Sequence, residues 1–287
     1  MFCSDVYSTE VSLSMKTVEG ECNEFLGSDV LETIMVSERE IAGLELVAAH
    51  CWPAREIIKY KGWIIHWNDG VTWRANSVLP DAWDSLVSIE EVIDYVIELY
   101  NEKDTPAAFK ISPASQPEGL DKLLEEKGFV QRMTTHVQTA PIESISCLGP
   151  RVPVDLFKVT DESLDTLLYR SERGELAIDV RREIIHRIAG EKNVARVMMH
   201  GNIAGMGLGV VEEDWLGLFS IRTFPEFQHR GVAWSLNCAL AMWGEDHGAQ
   251  KVFLQVETDN EPALALFESM GFKTMYTYWY RILETKK

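Results

Sequence analysis

The stretch "FPEFQHRGVAWSL", residues Phe224–Leu236, places a proline, an acidic residue and a glycine directly before a segment with the composition of a helix. The first four N–H groups of a helix have no partner inside it, and together with the helix dipole they attract anions. Gly231 allows close backbone approach, Ala233 is small, and His229 and Arg230 supply nearby positive charge. The stretch is therefore either an ordinary helix start or a loop that holds an anion, and its spacing fits a pyrophosphate.

The whole chain, 287 residues long, has the size and composition of a packed globular protein. Single cores usually stop growing at about 250 to 300 residues, which favours two domains of ordinary size. Hydrophobic residues make up 46% and charged residues 25%, so neither disorder nor a fibrous repeat is suggested. No run approaches the roughly 18 apolar residues that span a bilayer, and no basic start precedes an apolar run. We expect a cytoplasmic protein without membrane contact.

The formal net charge of −18 restricts the partners of the protein. It repels phosphate backbones, and no stripe of lysine or arginine offsets it locally, so nucleic acid is not expected as a partner. The same charge favours cationic or amine-bearing substrates, or it serves only solubility.

Residues that often bind metals are scattered along the sequence. The five cysteines never form a C-x-x-C pair. His66, His136 and His200 lie on separate predicted strands without a ligand spacing. Neither a disulfide framework nor a metal site is predicted.

Changes in composition divide the chain into four parts. Residues 1–30 lack periodicity and predict an N-terminal extension, whereas residues 31–140 and 154–287 carry alternating and helical apolar periods. Residues 141–153 contain three prolines and a glycine, which predicts a linker. The expected organisation is two α/β domains joined by this linker.

Both predicted domains end in the same way. The element order is β, β, α, β, α, β in the first and β, β, β, α, β, α, β in the second. In the first, Asn68–Gly70 predicts a hairpin turn and Ser88 the N-cap of a helix. Segments 119–130 and 263–273 share a short helix, a Gly-Phe pair and a following strand. The halves are relatives, or two unrelated α/β units share a common glycine cap.

Two segments of the second half resemble the acetyl-CoA motifs of the GCN5-related N-acetyltransferases (GNATs). The superfamily's loop has arginine or glutamine, glycine three residues later, and then glycine or alanine, as in Gln228–Ala233. The segment Gln255–Phe272 resembles the next motif, and residues 154–281 follow the superfamily's element order. The segment Gly62–Pro80 resembles a bacterial subgroup with two such domains in tandem. The resemblance implies an α/β (α+β) fold of two tandem GNAT-like domains, the first degenerate, each a mixed, mostly antiparallel sheet flanked by helices.

The resemblance also implies how a cofactor binds. Acetyl-CoA would serve as co-substrate, and no metal is required. The strand residues Ile221, Arg222 and Thr223 would hold the pantetheine arm mainly through their backbone, and Asn260 would lie near the pantetheine or its thiol end. Six consecutive residues would offer N–H groups to the pyrophosphate: His229, Arg230, Gly231, Val232, Ala233 and Trp234.

The implied reaction is direct attack by a neutral primary amine on the thioester carbonyl. A backbone N–H near Ile221 is the expected oxyanion donor. Many members use a tyrosine as general acid where this sequence has Phe267, and some have a glutamate where this sequence has Gln255. The usual acid and base are therefore missing.

Other groups are candidates for the proton chemistry. Glu257 lies one alternation beyond Gln255 on the same strand face, and Tyr276, Tyr278 and Tyr280 alternate along the final strand. Tyr276 and Glu257 are the predicted catalytic residues. The alternatives are a solvated carboxylate and tyrosines that only pack a sheet face.

The first half lacks a comparable loop after its hairpin, so we expect it to cover the acceptor side and not to bind the cofactor. Five of its residues would shape an acceptor pocket, unless the tryptophans only pack the core: Trp63, Trp67, Trp73, Arg74 and Asn76.

The leading functional hypothesis is an N-acetyltransferase that moves an acetyl group from acetyl-CoA to a small amine or a peptide N-terminus. The alternative is a non-catalytic acyl-CoA-binding or interaction module, which the missing acid and base suggest. A monomer is favoured over a homodimer, because paired halves would supply internally what dimers otherwise provide.

Overall fold

A computed structural model describes residues 36–84, 86–168 and 175–284. The predicted N-terminal extension, residues 1–30, lies outside this part of the chain. We call residues 36–140 the N-terminal half and residues 154–284 the C-terminal half. No helix among the described residues is both long enough and apolar enough to cross a bilayer.

Capping side chains begin two helices of the N-terminal half. Ser37 and Glu40 form a reciprocal capping box, and the Ser88 side chain accepts the N–H of Glu91 as predicted. The elements are α1 (Glu38–Cys51), β1 (Glu56–Tyr60), β2 (Trp63–Trp67), β3 (Val78–Leu79), α2 (Ile89–Asn101), β4 (Ala108–Ile111), α3 (Leu120–Glu126) and β5 (Val130–Pro141).

From residue 191 onward, the C-terminal half follows the predicted order of strands and helices. A short helix, α4 (Ile142–Ser146), lies inside the segment predicted as a linker. The further elements are β6 (Asp155–Lys158), α5 (Asp161–Leu168), α6 (Glu175–Arg187), β7 (Glu191–Met199), β8 (Asn202–Glu212), β9 (Trp215–Thr223), α7 (Val232–Asp246), β10 (Lys251–Glu257), α8 (Glu261–Met270) and β11 (Lys273–Ile282). The domain boundaries stay predictions.

The predicted hairpin around Asn68–Gly70 is wrong in its tight turn: β2 and β3 pair antiparallel, but residues 68–77 form a longer connection between them. The tight turn lies earlier, at Lys61–Gly62 between β1 and β2, where φ is 51° and 91°. The segment after β2 forms a loop with a 3-10 helix at Trp73–Ala75. The Asn76 side chain accepts two N–H groups and donates to three carbonyls within residues 68–72. These bonds replace the ladder bonds of a hairpin.

The strands of the described residues form one mixed sheet of eleven, in the order β1-β2-β3-β4-β11-β5-β10-β9-β8-β7-β6. Only β3–β4 and β9–β10 pair in parallel; the other neighbours pair antiparallel, which agrees with the predicted fold class. The final strand of each half lies beyond its own half: β11 sits between β4 and β5, and β5 sits between β11 and β10. The two halves therefore share one continuous sheet.

Glycines on β8 bring α7 close to the sheet. A Cβ on Gly205 would lie 2.4 Å from a Val232 methyl, and one on Gly209 would lie 3.0 Å from a Leu240 methyl. Successive odd positions of a strand share one face, so these glycines form a flat track beneath the helix. The track fixes the start of α7 beside the end of β9.

Candidate active site

Strands β9 and β10 separate and open a cleft in the sheet. Their parallel pairing runs from Trp215 and Lys251 to Leu218 and Leu254. The strands continue to Thr223 and Glu257, and among the described residues no further pair joins them. The cleft has an empty volume of about 1190 Å³ and is lined by Arg74, Leu218, Phe219, Ser220, Ile221, Leu254, Gln255, Val256, Glu257, Asp259, Asn260, Pro262, Ala263 and Phe267.

A β-bulge lies on β9 where the cleft opens. Ser220 and Ile221 both lie opposite Gly207, and Ser220 has a φ of 52°. A Cβ on Gly207 would lie 2.4 Å from Cδ1 of Ile221, so glycine gives this side chain its room. A bulge leaves a residue out of the ladder and turns the backbone. Backbone groups of Ser220–Ile221 are thereby available to a ligand in the cleft.

The loop after β9 leads into a helix without a capping side chain. His229 and Gly231 have left-handed φ values of 58° and 78°, and Gly231 is the N-cap of α7. The N–H of Ser235 donates to the Gly231 carbonyl at 3.0 Å as the first bond of the helix. The preceding N–H groups have no intrahelical partner, so the 15-residue helix presents its positive end here.

Arg151 adds a side-chain cation to this helix start. Its guanidinium carbon lies 3.6 Å from the centre of the Trp234 ring, and a Cβ on Gly231 would lie 3.3 Å from Cβ of Arg151. The Ser235 hydroxyl accepts the N–H groups of Arg151 and Val152 at 2.9 and 3.0 Å. The segment predicted as a linker is thus tied to the first turn of α7.

Asn260 and Phe267 form the opposite wall of the cleft. Asn260 is the N-cap of α8, and its Oδ1 accepts the N–H of Ala263 at 3.3 Å. Phe267 is buried against Phe272, with ring centres 5.6 Å apart. This wall therefore offers an aromatic ring where a hydroxyl was expected by resemblance.

A second cavity adjoins the cleft from the side of β5 and β11. Its empty volume is about 680 Å³, and its lining comes from both halves: Thr72, Trp73, Arg74, Met133, Thr135, Arg181, Gln255, Glu257, Tyr278 and Tyr280. Arg74, Gln255 and Glu257 line both spaces. The Tyr278 hydroxyl donates to Oε1 of Gln255 at 3.2 Å. We call this space the acceptor-side cavity.

A family model described as "Probable histone acetyltransferase Rv0428c C-terminal" matches residues 38–281. The chain belongs to this family. It is a GNAT-type N-acetyltransferase, and membership of this family favours an enzyme over the alternative of a non-catalytic module.

Curated relatives agree with this assignment. The chain is 27% identical over 258 residues to the uncharacterized N-acetyltransferase YobR of Bacillus subtilis, covering 85% of this chain and 98% of the relative. It is 31% identical over 77 residues to the ribosomal protein bS18-alanine N-acetyltransferase of Escherichia coli, covering 27% of this chain and 52% of that enzyme. The first relative shares almost the whole length, and the second only part.

Solved GNAT structures share the fold. A GCN5-related N-acetyltransferase from Kribbella flavida superposes with a TM-score of 0.64 at 11% identity, covering 85% of this chain and 96% of that one. A tandem GNAT protein from the clavulanic acid biosynthesis pathway gives a TM-score of 0.57 at 12% identity, with 85% and 89% covered. The likeness concerns the fold alone.

Of the two predicted catalytic residues, Glu257 and Tyr276, the GNAT fold brings only Glu257 to the cleft. Glu257 is exposed at the end of β10 and lines both spaces. The Tyr276 hydroxyl is buried and donates to Oε1 of Glu45 at 2.8 Å, and Glu45 in turn contacts Lys110. Burial, together with the Glu45 carboxylate, raises the pKa of Tyr276 well above its ordinary value. Tyr276 is absent from the lining of the cleft and of the acceptor-side cavity.

The predicted cofactor residues lie in the cleft, at the end of β9 and in the loop that begins α7. Ile221 and Asn260 line the cleft, and Arg222 and Thr223 continue β9 beyond it. The Arg222 side chain lies toward β8, where Nη2 is 3.6 Å from the Met206 sulfur. The loop residues His229, Arg230, Gly231, Val232, Ala233 and Trp234 follow as the start of α7.

The five residues of the N-terminal half have different surroundings. Trp73 and Arg74 line the acceptor-side cavity. Trp63 is fully buried and donates to the Gln116 carbonyl, and the ring of Trp67 lies 4.2 Å below Nζ of Lys103. Asn76 is buried and holds the loop that carries Trp73 and Arg74. Two of the five therefore shape the cavity directly and Asn76 positions them.

Sequence reasoning missed Arg151, Arg181 and Thr72. Arg151 lies in the predicted linker. Arg181 lies on α6, whose sequence pattern indicated only which residues face the core. The glycines of β8 were a usable signal, because alternate glycines on a strand indicate close approach of another element. Among the described residues no group of three histidine, cysteine or acidic side chains is placed to hold a metal ion.

Proposed function

We propose that the protein transfers the acetyl group of acetyl-CoA to a primary amine by direct attack. The observation that carries the proposal is the opening between β9 and β10, with a bulge at Ser220–Ile221 and the uncapped start of α7 directly after β9. The N–H groups at the start of α7, which we call the anion seat, directly follow the open edge of β9. Together they suit a ligand with a diphosphate and an extended amide arm.

The cofactor path follows from these features. The pyrophosphate lies on the N–H groups of residues 229–234, with Arg151 as an additional cation. The pantetheine arm runs along the backbone of Ile221–Thr223 and passes Asn260. Arg222 takes part through its backbone, because its side chain lies toward β8.

The reaction then occurs where the cleft meets the acceptor-side cavity. The amine nitrogen attacks the thioester carbon, the C–S bond breaks after the tetrahedral intermediate, and coenzyme A leaves as a thiol after protonation. The backbone N–H near Ile221 stabilises the oxyanion. Glu257 receives the amine proton directly or through water.

The leaving thiolate also needs a proton donor. Tyr276 was the predicted tyrosine, but its hydroxyl is bonded to Glu45 in the interior. Tyr278 lies one alternation further, lines the acceptor-side cavity and donates to Gln255. Since a thiolate with a pKa near 8.5 is a tolerable leaving group, solvent also suffices as the proton source.

Binding of acetyl-CoA tests the proposal. Isothermal titration of the parent protein should give a saturable signal, and Gly231→Glu should abolish it, because a side chain and a negative charge then occupy the anion seat. Gly248→Glu is the matched control: Gly248 is exposed, has a φ of 91° and follows the other end of α7. Absence of parental binding at millimolar acetyl-CoA would refute the proposal.

Turnover completes the test. Release of free coenzyme A is measured with polyamines, amino acids, aminoglycosides and peptide N-termini as acceptors. Steady release with any of them supports acetyl transfer. Binding without release across the whole panel would contradict it.

A further inference from the structure

Two arginines from different halves of the chain line the acceptor-side cavity. Arg74 is in the 3-10 helix of the N-terminal half, and Arg181 is on α6 of the C-terminal half. Their guanidinium carbons lie 5.5 and 6.0 Å from the centre of the Trp52 ring. Trp52 itself is stacked on Phe219 and donates to Thr72 at 3.1 Å. Both cations are therefore held around one buried aromatic ring.

Within the described part of the chain, neither arginine forms an ion pair, and Nε of Arg181 is buried without a hydrogen-bond partner. Arg39, Arg151 and Arg230 also have no ion pair there, whereas six of the other described arginines contact carboxylates: Arg55, Arg132, Arg182, Arg187, Arg196 and Arg281. In a chain of net charge −18, a shortage of carboxylates does not explain the difference. Two like charges around one ring repel each other, and a bound anion removes that cost.

The charges in the cavity are arranged in a useful order. Glu257 and Arg74 line both the cavity and the cofactor cleft, whereas Arg181 lines the cavity alone. One carboxylate thus lies where the acetyl group is transferred, and the Arg181 guanidinium lies in the part of the cavity that the cleft does not share. An acceptor that matches this order carries a positive amine at one end and an anion at the other.

The geometry points to an amine acceptor that also carries a carboxylate, with Arg181 and Arg74 binding the carboxylate while the amine lies beside Glu257. This inference rests on the proposed function, because it names the acceptor class of the same site. Guanidinium groups bind carboxylates with two parallel hydrogen bonds. The cavity is open to solvent, and its empty space of about 680 Å³ includes part of that solvent, so a free amino acid or the C-terminal residues of a short peptide can enter it, two sources of the same chemistry.

Matched acceptors test the inference. Coenzyme A release is measured with lysine and cadaverine, histidine and histamine, and tyrosine and tyramine, pairs that differ in the carboxylate. We expect kcat/KM about 10- to 100-fold higher for the amino acids, from one or two charge-assisted hydrogen bonds. Glycyl-lysine and its C-terminal amide distinguish a peptide from a free amino acid as the source of the carboxylate.

Arg181→Gln separates binding of the carboxylate from a structural effect. This variant should raise KM for the amino acid about 10-fold or more, while KM for acetyl-CoA and for the decarboxylated amine stays unchanged. The preference within each pair then collapses. Arg182→Gln is the control, because Arg182 is the next residue of α6 and pairs with Asp165 at 2.7 Å on the surface. It should keep the parental preference.

The outcomes distinguish this inference from the proposed function. Equal kcat/KM within every pair overturns the inference and leaves acetyl transfer intact. If no acceptor is turned over, titration of the same pairs into the protein with coenzyme A decides: tighter binding of the acids, lost in Arg181→Gln, supports the inference, and equal or absent binding overturns it. Failure to bind acetyl-CoA refutes the proposed function separately.

Discussion

The buried ion pair between Glu45 and Lys110 joins the two halves of the sheet to α1. The exposed fractions of the two side chains are 2% and 8%. Tyr276 of β11 donates its hydroxyl to the other oxygen of Glu45 at 2.8 Å. Lys110→Met keeps most of the side-chain stem and removes the ammonium. The Glu45 carboxylate is then left in the interior with Tyr276 as its described donor.

The expected loss of stability follows from this geometry. Removing one partner of a buried ion pair costs about 3 to 5 kcal/mol, because the other charge stays buried without compensation. The surviving bond from Tyr276 places Lys110→Met at the lower end, about 3 kcal/mol. Such a loss is a large part of the roughly 5 to 15 kcal/mol that holds most proteins folded. It corresponds to a fall in Tm of about 6 to 12 °C.

Urea unfolding followed by tryptophan fluorescence and circular dichroism measures the effect. Lys122→Met is the control, since the Lys122–Glu126 pair is 81% and 60% exposed and its removal should change stability by less than about 1 kcal/mol. Glu45→Gln combined with Lys110→Met should recover most of the loss, because glutamine still accepts the Tyr276 hydroxyl without a charge. A single variant within 1 kcal/mol of the parent, or a double variant less stable than the single one, would refute the reasoning.

Two pH-dependent predictions concern other groups. Burial lowers the pKa of His66, whose ring nitrogen lies 3.2 Å from the Ser77 carbonyl, to about 4. As the pH falls, the unfolded chain takes up this proton before the folded chain does. The contribution of neutral His66 to the free energy of unfolding is therefore fully present above pH 6.5 and falls by about 3 kcal/mol toward pH 4. Urea unfolding at pH 7 and 4.5 measures the decline; His66→Gln should remove this part of it, and an equal decline in parent and variant would contradict the prediction. Hydrogen bonds from Arg281, and next from Trp279, lower the pKa of the Asp121 carboxyl. The contribution of these hydrogen bonds to the free energy of unfolding is present above the ordinary pKa near 3.9 and is lost below it. Asp121→Asn should therefore lower the free energy of unfolding by about 1 to 2 kcal/mol at pH 7, a value already reduced by solvent screening, and by less near pH 3. An equal loss at both pH values would argue against this prediction.

The order of the elements and the helix start at Gly231 were largely predictable because their signals are local. Gly231 and the small residues around it form a contiguous motif, and a helix start offers N–H groups whatever the rest of the fold does. The bulge at Ser220 had no such signal. It depends on Gly207 of the neighbouring strand, which gives room to Ile221. Pairing partners of that kind become visible only in the folded sheet.

The acceptor side was only partly predictable because distant segments build it. Trp73 and Arg74 were expected there, yet Arg181 comes from a helix more than a hundred residues later in the chain. The hairpin error has a similar cause. Turn residues at 68–70 favour a hairpin locally, but the buried side chain of Asn76 binds that segment and turns it into a loop that presents Arg74.

Strand β11 explains why alternation alone could not assign the proton chemistry. Tyr276, Tyr278 and Tyr280 face the same side, and each step of two residues advances about 7 Å along a strand. The first step leads from the interior bond with Glu45 to the contact with Gln255. Tyr280 then lies beside Trp73, with ring centres 6.4 Å apart, at the wall of the acceptor-side cavity. Since β11 lies between β4 and β5, the N-terminal half decides which tyrosine reaches the reaction, and the motif of the C-terminal half carries no information about it.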